Sequence, residues 1–131
     1  MNNEKYWKDY SGGIEDVKET FNLFAEVVEK SIVPDIPIPE IKRLKAVFPA
    51  DPSLLLNRVR SSIFDSNDAE EINKTETTLR KLRDDFEVLA NDATDDLECS
   101  LLYTLRKCAD KIAALLTYKR VVIGLEKSIK Q

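Results

Sequence analysis

Residues 94–130 read TDDLECSLLYTLRKCADKIAALLTYKRVVIGLEKSIK, a stretch with no proline and a single glycine. Its apolar positions are Leu97, Leu101, Leu102, Leu105, Cys108, Ile112, Leu115, Leu116, Val122, Ile123 and Ile129. Most follow each other at helical steps of three and four. So wide a stripe predicts one long, central helix starting near Thr94 or Asp95 and running to Lys130. Gly124 is its one weak point.

Working back from there, residues 91–94 read as a turn. Before it, Ile72, Thr75, Leu79, Leu82, Phe86 and Leu89 form a heptad-like seam, interrupted only by Thr75. Asp65-Ser66-Asn67-Asp68 supplies several N-cap candidates, with Glu70 or Glu71 placed to complete a capping box. Two long helices joined by a short turn should fold as an antiparallel hairpin.

The first half carries shorter elements. Ile14, Val17, Phe21, Phe24 and Val28 mark an amphipathic helix that should end near Ile32, because Pro34, Pro37 and Pro39 cannot continue it. Residues 33–39 read as an extended connector. A short helix is expected from Pro39 or Glu40 to Phe48. Asp51-Pro52 then restarts the chain, with Asp as N-cap and Pro as first helical residue. That helix should run to about Phe64, with Leu55, Leu56, Val59 and Ile63 inward. The prediction is an all-α single domain over residues 1–131: a bundle of four main helices plus one short helix, with a long C-terminal antiparallel helical hairpin.

Composition agrees with this. In 131 residues, 43% are hydrophobic and 34% charged, which suits a globular chain. Three glycines are too few for a fold rich in β-hairpin turns. No apolar run reaches the length of a signal peptide core or a membrane span. This predicts a cytoplasmic protein. On one helix, Cys99 and Cys108 stand ~13 Å apart on opposite faces. That is beyond disulfide reach, so both should be free thiols.

The chain has no histidine. That removes the usual general base, the Ser-His and Cys-His pairs, and the imidazole ligands of most catalytic zinc sites. Neither glycine-rich phosphate-binding pattern is present. Carboxylate-only magnesium chemistry needs two paired motifs on neighbouring helices; Glu26-x-x-Glu29 supplies one and no fitting second follows. Residues 92–98 have acidic spacing reminiscent of a calcium loop but lack its glycine and distal glutamate. The expectation is no enzyme, no cofactor and no metal.

Charge is spread unevenly. Residues 65–98 hold twelve acidic and four basic side chains, and residues 99–131 two acidic and seven basic. From residue 84 to 98 there are seven acids and no base: Asp84, Asp85, Glu87, Asp92, Asp95, Asp96 and Glu98. Arg80, Lys81 and Arg83 stand four residues before Asp84, Asp85 and Glu87 and can pair with them. Asp95, Asp96 and Glu98 also suit a helix N-terminus. The four acids Asp92, Asp95, Asp96 and Glu98 have no local basic partner in sequence. They form a candidate docking site for a basic surface.

Trp7, with Tyr6 and Tyr10, is the second candidate, because Trp and Tyr dominate binding hot spots. The alternative is that a short N-terminal helix folds back and tucks them onto the bundle. Pro34-x-x-Pro37 is better read as a linker than as a polyproline ligand. The basic groups at Lys42, Arg43, Lys45, Arg58, Arg60, Arg106, Lys107, Lys111, Lys119 and Arg120 read as helix solvation, and the net charge of −4 argues against direct nucleic-acid binding.

These readings converge on a non-enzymatic protein-binding module. Its partner would be a protein with a basic surface or active site, covered as by an inhibitor, immunity protein or antitoxin, an analogy of size and charge. The alternative is a structural adaptor or secretion-chaperone-like subunit binding through apolar helix faces. A homo-oligomer is compatible with either.

Overall fold

The computed structural model describes residues 4–8, 10, 12–32, 52–94 and 96–130, and the chain there is all-α. A 3-10 turn, Glu4–Trp7, precedes four helices: α1 Gly13–Ile32, α2 Pro52–Phe64, α3 Ala69–Asp92 and α4 Asp96–Lys130. The short helix expected near residues 39–48, and Asp51 as a cap, lie outside the described residues.

Local signals account for the helix ends. Gly13 opens α1 with φ at +67°, a conformation that a β-carbon penalises. Asp68 caps α3: its carboxylate accepts the N–H of Glu70 at 3.0 Å and of Glu71 at 3.4 Å. The return half of the capping box is built differently from expectation. The Asp68 N–H donates to the Ser66 hydroxyl, whose own proton points to Glu71. At the far end of α3, Ala93 turns extended and closes on Ala90 without a glycine.

α3 and α4 pack along their length. A polar seam ties Glu76 to Arg120, Arg83 to Asp110, Glu87 to Arg106 and Asn91 to Tyr103. Partners on α4 step down as α3 steps up, so the two helices run antiparallel. Beneath this edge lies one apolar cluster, with Phe24, Ile63, Ile72, Leu79, Phe86, Leu105, Ile112 and Leu116 all fully enclosed. α1 and α2 supply its other walls.

Several polar groups are buried in this core. The Ser62 hydroxyl donates to Thr75 across α2 and α3 at 2.8 Å. Thr75 is therefore no gap in the seam, since its hydroxyl is satisfied within the core. Glu76 and Lys119 are enclosed as well, 3% and 0% exposed.

Candidate functional site

The end of the α3–α4 pair gathers the acids singled out in sequence. α3 stops at Asp92 and α4 begins at Asp96. Both side chains are exposed. Asp95, between them, lies outside the described residues. Asp84 is exposed but paired with Arg83 at 3.1 Å, and Glu87 with Arg106 at 3.5 Å. Asp85 is half-buried. Glu98 is 7% exposed and faces the bundle, so it offers little to a partner. The fold thus divides the seven acids. Asp92 and Asp96 stand at the tip, Asp84 and Glu87 flank it with neutralising arginines, and Glu98 turns inward.

Apolar groups accompany them. Val88 is 61% exposed, and Tyr103 is 40% exposed with its hydroxyl donating to Asn91 at 3.4 Å. Asn91 lies one turn beyond Val88 on α3. Leu97, expected in the core stripe, is 57% exposed in the first turn of α4.

Trp7 is elsewhere and enclosed. It is 1% exposed, stacks on Tyr118 with centroids 5.9 Å apart, and meets Tyr10 edge-on. Its indole presents no surface to a partner; the N-terminal segment folds back onto the bundle, as a 3-10 turn and not a full helix. The Trp7 N–H is buried with no acceptor among the described residues. An open depression of about 420 Å³ beside it is lined by Lys5, Trp7, Lys8, Gly13 and Ile14. A smaller one of about 180 Å³ lies between Tyr6, Asn67 and Ile123.

Two buried ionic groups escaped the sequence reading. Glu76 accepts from the Thr117 hydroxyl, from Arg80 at 3.1 Å and from Arg120 at 2.7 and 2.8 Å. Burial pushes its carboxyl up, but the bonds from Thr117 and Arg80 and the charge of Arg120 outweigh that and hold it below the usual carboxylate range. The signal available was Glu76-x-x-x-Arg80, an i,i+4 pair. Lys119, taken from sequence as a solvated basic group, instead donates to the carbonyls of Ser62 at 2.7 Å and Ile63 at 3.0 Å. Its place on the Ile112, Leu116, Ile123 face marked it as inward.

Much of the remaining basic surface is likewise committed within the fold. Lys111 binds Asp16 at 3.1 Å, Lys5 binds Glu126 at 3.3 Å, and Arg83 bridges Asp84 and Asp110. Among the described residues no group of three or more Asp, Glu or Cys side chains is arranged to hold a metal ion. None of the described helices is long and apolar enough to cross a membrane. Glu26 and Glu29 are both exposed on α1.

Comparison with protein families, with curated proteins and with solved structures finds no match to this chain.

Proposed function

We propose that this chain is a non-enzymatic binding module of the inhibitor, immunity or antitoxin type, covering a basic surface of a protein partner with the acidic end of the α3–α4 pair. The observation that carries this reading is the exposure of Asp92 and Asp96 on either side of one short turn. They are mounted on two long helices that ion pairs lock in register. A rigid support lowers the ordering cost of binding. Carboxylates on it raise association rate and select for a cationic partner. Arg83 pairs with Asp84 and Asp110, and Arg106 with Glu87. Two free thiols suit a reducing compartment, and the reading puts this role in the cytoplasm.

The test uses a partner recovered from the native cell with the intact chain as bait. Its affinity is then measured over a range of salt for the wild type and for the double variant Asp92→Asn, Asp96→Asn. The expected result is a weakening of about tenfold or more with a shallower salt slope. An affinity unchanged by the substitutions and indifferent to salt would end the proposal.

A second reading, a subunit that binds through apolar helix faces, is favoured by one observation: Val121 and Leu125, one turn apart on α4, are 56% and 60% exposed.

A further inference from the structure

We draw no further inference here: the strongest candidate, the depression of about 420 Å³ where the N-terminal turn meets the start of α1, carries nothing, because nothing in the structure shows the buried Trp7 N–H reaching into it and Glu15 and Asp16 in the first turn of α1 disfavour an anion at that helix N-terminus.

Discussion

The ammonium nitrogen of Lys119 lies 2.7 Å from the carbonyl oxygen of Ser62, inside a core from which water is excluded. It also takes the carbonyl of Ile63, while the chain itself closes on Ser61. A side chain from α4 therefore caps the C-terminus of α2, where the helix dipole favours a cation. Removing it leaves two buried carbonyls without donors.

We predict that Lys119→Met, which keeps the length of the side chain and loses its donors, destabilises the fold by about 2–4 kcal/mol, read from denaturant midpoints. Burial lowers the pKa of Lys119 to about 8, although Asp65 pulls it back up. Because the folded value is depressed below the unfolded 10.5, protons leave the native state first. Stability relative to Lys119→Met should then rise as pH climbs from about 8 towards 10.5. A difference that is flat over that window would show that Lys119 keeps its ordinary affinity for protons.

Glu76 shows the opposite linkage. Its carboxyl is held low in the native state, so its contribution is present above the unfolded pKa and is lost as pH falls through the folded one. Glu76→Ala should cost about 2–3 kcal/mol, less than the loss of a fully buried pair because Arg80 and Arg120 are part-exposed. The variant should also show a weaker acid dependence of its unfolding midpoint than the wild type. An equal acid dependence would place the acid-sensitive group elsewhere.

Trp7 is the chain's one tryptophan and is enclosed against Tyr118 and Tyr10. Its emission should be blue-shifted in the native state and should move to the red in one transition coincident with the loss of helical circular dichroism. Trp7→Ala should cost about 3–5 kcal/mol. If emission shifts well before helicity falls, the N-terminal turn unfolds on its own.

The two thiols should differ in reactivity. Cys99 is half-buried, its thiol 3.7 Å from the Ala90 carbonyl oxygen. Cys108 is buried, and burial pushes its pKa up against the pull of Lys111. A disulfide reagent should modify Cys99 in the native chain and reach Cys108 only on unfolding. Labelling of both at one rate would contradict the packing around α4.

α1, α3 and α4 were legible from periodicity because each carries a stripe wide enough to need a neighbour. Ile72, Leu79, Leu82 and Phe86 are enclosed at the expected spacing. The same rule misplaced Leu97 and Ile129, which are 57% and 84% exposed at the two ends of α4. Periodicity gives the face a residue shares, and says nothing of how far along the helix a neighbour reaches. The candidate site divides on similar grounds. Asp92 and Asp96 kept their exposure because they flank a turn, whereas Glu98, two residues into α4, points inward.

Residue order alone therefore settled the helical class, the helix starts at Pro52 and after Asp68, and the faces that collapse together, because caps and amphipathic spacing act over a few neighbouring residues. Tertiary packing alone decided that Lys119 caps a helix fifty-six residues away, that Glu76 is buried among arginines, and that Glu98 is enclosed while Asp92 and Asp96 are exposed. The energy of a buried charge depends on what surrounds it in space, and that is set only when distant segments meet.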